Sequence, residues 1–232
     1  MLDREIIFTS LIGFKNYGFV LDNQEVNYYH AYILPEIGDF YDDYVFTDLI
    51  MIDDKVCHCY DIRYLIGSLL SGNFKHLEAL FSDNIDLVAD FKDINFLFEH
   101  KNEIARMNLK GLYKYLNKSI NHQMILFKNK QLYDEHKASL VYNLMCFAKD
   151  FVATDFSDFK GAIVRTSWEK KIMLDIYGKK MNYEEVMHTL QELYEDRFKE
   201  LEHDYKLAHE DNKKLADEIK YEVLKTIYKF IN

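Results

Sequence analysis

The stretch IIFTSLIGF (Ile6–Phe14) predicts a buried β-strand that ends at a glycine turn. The run VNYYHAYIL (Val26–Leu34) is rich in β-forming residues and stops at Pro35. KVCHCYD (Lys55–Asp61) alternates like a further strand, whereas Tyr44–Ile52 fits either a strand or a short helix. The first third of the chain therefore predicts a small α/β arrangement.

Helical periodicity dominates the chain from Ile62 onward. One proline and 8 glycines among 232 residues leave few helix breakers, which favours long helices. Asn182 with Glu185 is close to a capping box, and Asn212 interrupts the last apolar stripe, so one helix or two joined near His209–Lys213 both fit. The predicted helices cover about Lys92–Ser119, Asp134–Phe151, Ser167–Tyr177 and Tyr183–Ile231.

These patterns together predict an α+β protein. Its first part, residues 1–90, is an α/β domain with a small mixed β-sheet. Its second part, residues 91–232, is a mostly α-helical domain that ends in long amphipathic helices.

Composition limits the classes of partner. The formal charge of −10 repels phosphate backbones, so generic nucleic-acid binding is disfavoured. The same charge favours a partner protein with a basic groove. A role in solubility alone would also account for it. Three sparse cysteines imply no disulfide framework and fit a reducing cytoplasm. Because the sequence has no cationic leader and no bilayer-length apolar run, we expect a cytoplasmic protein without a membrane partner.

A colinear series of short motifs carries a resemblance to a known family. The segments are Gly13–Gly18, Gln24–Tyr28, Pro35, Asp61–Tyr64, Gly72–Phe74, Leu77–Phe81, Tyr133–Ala138, Ile176–Gly178 and Glu184–Val186. In their order and spacing they resemble the DNA polymerase β-like nucleotidyltransferases of phages and bacteria. That family has Gly-Ser at the end of a strand, Ser-Asp-x-Asp at the start of the next, and a third carboxylate on a later strand.

The resemblance implies a site whose chemistry has largely been replaced. The family's carboxylates hold two divalent ions, usually magnesium, which bind the triphosphate. Glu25, Asn27 and Val56 stand at those three positions, so a single charge remains, and Phe14 replaces the serine of the phosphate turn. The resemblance thus implies a vestigial pocket made of Gly13, Phe14, Lys15, Glu25, Asn27 and His136. We expect no catalytic residue, no bound metal and no cofactor.

Two other groups of residues suggest roles. Cys57-His58-Cys59 contains the ligand types of a zinc site. Because alternate residues of a strand face opposite ways, His58 would point away from the two cysteines, which favours a structural role for Cys57 and Cys59. The tyrosines and acids between residues 28 and 44 are suitable for a protein interface, although ordinary core and rim aromatics fit equally well. The predicted partner-binding residues are Tyr28, Tyr29, Tyr32, Asp39, Tyr41, Asp42 and Asp43.

The resulting hypothesis is a nucleotidyltransferase-like pseudoenzyme that binds a protein. By analogy with phage members of the family, the partner would be a host nucleic-acid-binding defence complex, inhibited in the manner of an anti-CRISPR protein in the host cytoplasm. The alternative is an active nucleotidyltransferase that uses Mg²⁺, with Glu25 as a ligand, to modify RNA or protein. A third hypothesis is an antitoxin or a self-assembling protein that uses the C-terminal stripe.

Overall fold

A computed structural model describes residues 4–19, 27–41, 44–52, 55–210 and 212–231 of the chain. Its strands form one five-stranded mixed sheet in the order β3-β4-β2-β1-β5, in which β2 and β4 run parallel and all other neighbours run antiparallel. The strands are β1 (Ile6–Gly13), β2 (Asn27–Ile33), β3 (Thr47–Ile52), β4 (Lys55–Asp61) and β5 (Ile85–Leu87). The strand interpretation of the segment after Tyr44 is therefore confirmed.

Helices make up most of the remaining chain, which confirms the predicted α+β class. Short 3₁₀ turns cover Ala89–Ile94, Lys130–Leu132 and Lys199–Leu201, and a π-helical turn covers Tyr194–Phe198. The α-helices are α1 (Ile37–Tyr41), α2 (Ile62–Leu70), α3 (Phe74–Leu80), α4 (Asn95–Glu99), α5 (Lys101–Met107), α6 (Leu109–Phe127), α7 (Glu135–Ala153), α8 (Phe159–Ile163), α9 (Ser167–Tyr177), α10 (Tyr183–Leu193), α11 (Glu202–Leu207) and α12 (Lys213–Ile231).

The chain divides into two compact units. One contains Met1–Asn108 together with Asp211–Asn232, and the other contains Leu109–Glu210. Since α12 packs against α2 through a buried stripe that includes Ile219 and Val223, the C-terminal helix belongs to the unit that holds the sheet. These units differ from the predicted division into residues 1–90 and 91–232.

The first unit places α2 and α3 on one face of the sheet. Asp61 begins α2, since its carboxylate accepts the amide of Arg63 at 2.8 Å, and Asn73 begins α3 in the same way. The Ser10 hydroxyl donates to the carbonyl of Ala79 at 2.7 Å, which joins β1 to α3. These helices cover β1 and β2, where the core of the unit lies.

The second unit is built around α7, which packs against α6 and α9. Phenylalanines stack along its buried side, with Phe147 and Phe151 at 5.5 Å between ring centroids. The predicted capping box of Asn182 and Glu185 is present at the start of α10, and α9 has a second one in Thr166 and Glu169. Of the two interpretations of the last segment, the two-helix one is correct, because α11 and α12 are separate helices.

Candidate functional site

The turn after β1 is where the resemblance places a phosphate. Gly13 and Gly18 have φ angles of 112° and 85°, which glycine adopts without strain. The Gly13 amide donates to the Glu78 carboxylate at 3.0 Å, and the Lys15 amide donates to Oδ1 of Asn27 at 2.9 Å. The next three amides, of residues 16 to 18, donate to carbonyls of residues 13 to 15 at 2.9–3.1 Å. The turn therefore satisfies these backbone donors internally.

The Glu78 side chain, on α3, is hydrogen-bonded to this turn. Its carboxylate is buried and accepts three hydrogen bonds, from the Gly13 amide, from Nδ2 of Asn16 at 3.0 Å and from the Tyr17 hydroxyl at 3.1 Å. Burial raises the pKa of Glu78 to about 7, although the three hydrogen bonds oppose that rise. Once ionised, above about pH 7, this carboxylate beside the turn is unfavourable for a bound phosphate.

Phe14 packs into the core beside this turn. Its ring is fully buried and lies 5.1 Å from the Phe19 ring and 6.1 Å from the Tyr17 ring. Lys15 next to it is exposed. Phe14, which the resemblance aligns with a serine, thus forms part of the hydrophobic core.

Of the three positions that the resemblance aligns with metal ligands, the two that the structure describes, Asn27 and Val56, do not converge. Asn27 begins β2 opposite Gly13, and its side-chain oxygen accepts a hydrogen bond from the Lys15 amide. Tyr29 pairs with Cys57 across β2 and β4, so Asn27 and Val56 point to opposite faces of the sheet. Glu25 lies outside the described residues. Within the part of the chain that the structure describes, no group of three or more His, Cys, Asp or Glu side chains could hold a metal ion.

His136 lies in the second unit, in the first turn of α7. Its ring is 6.2 Å from that of Tyr177, between centroids. The structure therefore brings Gly13, Lys15 and Asn27 together around one turn, while His136 belongs to a different compact unit.

A cluster of histidine and tyrosine rings lies on the face of the sheet that α2 and α3 partly cover. The Tyr32 hydroxyl hydrogen-bonds with Nδ1 of His76 at 2.9 Å and lies 3.3 Å from Nδ1 of His30. Burial lowers the pKa of His76 to about 4 and holds that of His30 well below its usual value. The cluster contains Tyr28, His30, Tyr32, His58, Tyr60, Tyr64 and His76.

Sequence reasoning missed this cluster as a unit. The alternation in β2 and β4 places Tyr28, His30 and Tyr32 on one face of one strand and His58 and Tyr60 on one face of another. Only the parallel register, in which His30 pairs with His58, brings the two sets together. The alternation in each segment was visible in the sequence, but the register that pairs β2 with β4 was not.

The same face is uncovered at β3. Leu49 and Met51 are 57% and 61% exposed and lie beside His58 and Val56, their partners on β4. We call Leu49, Met51, His58 and Tyr60 the open face. Because alternate strand residues share a face, Leu49 and Met51 form a small exposed apolar patch beside the cluster.

The predicted partner-binding residues divide into three groups. Tyr32 is 0% exposed, and Asp39 is nearly buried, paired with Arg4 and with the Glu36 amide at 2.8 Å. Neither offers surface to a partner, so the prediction is corrected for both: their polar groups are used inside the fold. Tyr28 and Tyr29 are half-buried on opposite faces of β2. Asp42, Asp43 and the side chain of Tyr41 lie outside the described residues.

The cysteines of β4 pack in the core. Cys57 and Cys59 are buried beside Ala31 on the face opposite His58, as the alternation predicted. Burial raises the pKa of the Cys59 thiol to about 12, so its nucleophilic thiolate form is disfavoured at neutral pH.

Comparison with known protein families, with curated proteins and with solved structures finds no match to this chain. Among the described residues, no helix has the length and apolar character needed to span a bilayer.

Proposed function

We propose that this chain is a catalytically inactive relative of the polymerase β-like nucleotidyltransferases and works as a protein-binding module. One observation supports the loss of catalysis: the backbone amides of residues 15 to 18, in the turn after Gly13, are bonded to the protein itself. A phosphate-binding turn must instead present its N–H groups to the ligand.

The surrounding residues support the same proposal. Asn27 is neutral and uses its oxygen to fix the Lys15 amide, and Val56 points to the opposite face of the sheet. Two hard cations beside a triphosphate need several carboxylates within reach of one another. Buried Glu78 lies on the wrong side of the turn for that task, because its three hydrogen bonds hold it inside the core.

The binding half of the proposal rests on surface and charge. The open face exposes Leu49 and Met51, and the chain carries a net charge of −10. A protein with a basic groove would be attracted by this charge, and apolar contacts would then hold it. In its narrower form, the proposal is that the partner is a host nucleic-acid-binding defence complex, which this chain inhibits by occupying the basic channel.

Calorimetry tests the loss of catalysis. The four ribonucleoside triphosphates are titrated into the protein with Mg²⁺ and, separately, with Mn²⁺. We expect no binding heat and no transfer of label from α-labelled triphosphates to RNA or protein. Micromolar nucleotide binding that depends on the metal would contradict the proposal and favour an active enzyme.

Affinity capture tests the binding half. Immobilised wild-type protein should retain a specific protein from bacterial lysate, and rising salt should weaken that binding because the attraction is partly electrostatic. If the captured partner binds nucleic acid, added duplex DNA should compete with this chain for it. Failure to retain any specific protein from a range of bacterial lysates would remove the proposal.

A further inference from the structure

We propose that the free edge of β3 takes up one extended strand of the partner protein, so that the sheet continues across the interface. This inference rests on the proposed protein-binding function and specifies its mode. The incoming strand would carry apolar residues beside the open face and at least one lysine or arginine near Asp48.

β3 is an edge strand of the described sheet. It pairs with β4 on one side, in an unbroken register from Thr47 opposite Tyr60 to Ile52 opposite Lys55. Every second residue of an edge strand directs its N–H and C=O groups away from the sheet. These groups form a template for another strand, and one outward amide already in use is that of Leu49, which donates to the Asp48 carboxylate at 2.7 Å and would exchange that bond for an incoming carbonyl.

β3 lacks most of the features by which proteins usually protect such an edge, and Asp48 is its one charged residue. Its sequence TDLIMI contains no proline and no lysine, and its register with β4 has no bulge. The opposite edge differs, since β5 is only three residues long, and short edge strands pair poorly. The unprotected state of β3 is what a strand-binding function requires.

The two faces of β3 define the incoming strand. Leu49 and Met51 extend one face, and half-buried Ile50 and Ile52 extend the other, where they pack against Ala31, Cys57 and Cys59. An added strand alternates its side chains in the same way, so apolar residues on one of its faces would extend the layer of Leu49 and Met51. Exposed Asp48 is the one charge in β3, and it favours a cation across the strand pair.

Charge favours a different protein over a second copy of this chain. Two copies would each bring a net charge of −10. Each β3 strand carries an acid, Asp48, and no cation, so pairing two copies would bring like charges to the same strand pair. A basic strand would meet attraction instead.

Synthetic peptides test this mode directly. Fluorescein-labelled octapeptides that alternate valine with lysine, or valine with glutamate, are titrated into the wild-type protein and followed by fluorescence anisotropy. Two further basic peptides are N-methylated on one or the other alternate set of amides. We expect the basic peptide to bind at least about tenfold more tightly than the acidic one. One methylated peptide should lose binding and the other keep it, because only one set of amides faces β3.

Two double variants of equal charge locate the site. Leu49→Lys with Met51→Lys places lysines on the edge, and both side chains are exposed enough to leave the core intact. The matched control is Tyr221→Lys with Tyr228→Lys on α12, where the two rings are 64% and 63% exposed. The first variant should weaken peptide binding at least about tenfold, and the control should bind within about twofold of wild type.

Each other outcome overturns the inference. If the basic peptide does not bind, or if both methylated peptides bind like their parent, the edge is not used. If light scattering shows a dimer that the Leu49 and Met51 variant abolishes, the occupant is a second copy. If a captured partner binds this variant with the same affinity as it binds wild type, the strand-pairing inference fails while the protein-binding proposal stands. If wild type captures no partner, the proposed function itself fails.

Discussion

Replacing Glu78 by glutamine should remove a pH-dependent cost from the fold. In the folded protein Oε1 accepts the Gly13 amide and Nδ2 of Asn16, and Oε2 accepts the Tyr17 hydroxyl. The glutamine oxygen can keep the first two bonds, and its amide can donate to the Tyr17 hydroxyl, which then acts as acceptor. The variant therefore preserves the shape and the hydrogen bonds of the site while it deletes the titratable proton.

The magnitude follows from the pKa of Glu78, which burial raises from 4.5 to about 7. The unfolded chain releases this proton near the lower value, whereas the folded protein retains it to the higher one. Stability contributed by the neutral group is thus complete below pH 4.5 and is lost as the pH rises through 7. At about 1.4 kcal/mol per pKa unit, the loss is about 3 kcal/mol.

Chemical unfolding followed by far-UV circular dichroism measures this effect at pH values from 4 to 8.5. We expect wild type and Glu78→Gln to have similar free energies of unfolding at pH 4, and the variant to be more stable by about 3 kcal/mol at pH 8.5. The difference between the two proteins removes the contributions of other groups, including the buried histidines. Glu78→Ala is the control and should be less stable at every pH, by at least about 3 kcal/mol, because it leaves three buried donors unpaired.

Two parallel stability curves would refute this reasoning. If the free energies of wild type and Glu78→Gln differ by the same amount at pH 4 and pH 8.5, Glu78 does not titrate between them with a raised pKa. The pKa of Glu78 in the folded protein would then equal that in the unfolded chain.

Two further predictions concern other parts of the fold. Tyr32→Phe deletes the hydroxyl that hydrogen-bonds with His76, so the buried imidazole loses its partner and the free energy of unfolding in denaturant should fall by about 1–2 kcal/mol. An unchanged free energy of unfolding would mean that this hydrogen bond contributes nothing. Thr166→Ala removes the side chain of a capping box and should lower the free energy of unfolding by about 1 kcal/mol in the same assay. The control Ser167→Ala, at the neighbouring exposed position, should change it by nearly zero, and equal effects of the two variants would contradict the capping role.

Local sequence signals predicted much of the fold. An apolar run predicted β1, a stretch of β-forming residues predicted β2 and alternation predicted β4, while the capping box at Asn182 predicted the start of α10. The same alternation put Cys57 and Cys59 on one face and His58 on the other. These features depend on residues close together in the chain, and the backbone geometry of a strand or a helix end is enough to determine them.

The candidate site needed more than local signals. Phe14 could be identified as a departure from the family's serine by resemblance alone, but whether its ring would be exposed or buried depends on the packing around it. Tyr32 and Asp39 read as surface anchors because aromatic and acidic residues often form interfaces. The fold instead uses their polar groups internally, on His76 and on Arg4.

By itself, the sequence determined the α+β class and most strand and helix positions. Only the tertiary structure decided that Asn27 and Val56 face opposite ways, that Glu78 holds the turn after Gly13, and that β3 is an edge. The reason is physical: a strand's periodicity fixes which side chains share a face. Strand order, register and coverage arise from contacts between segments far apart in the chain.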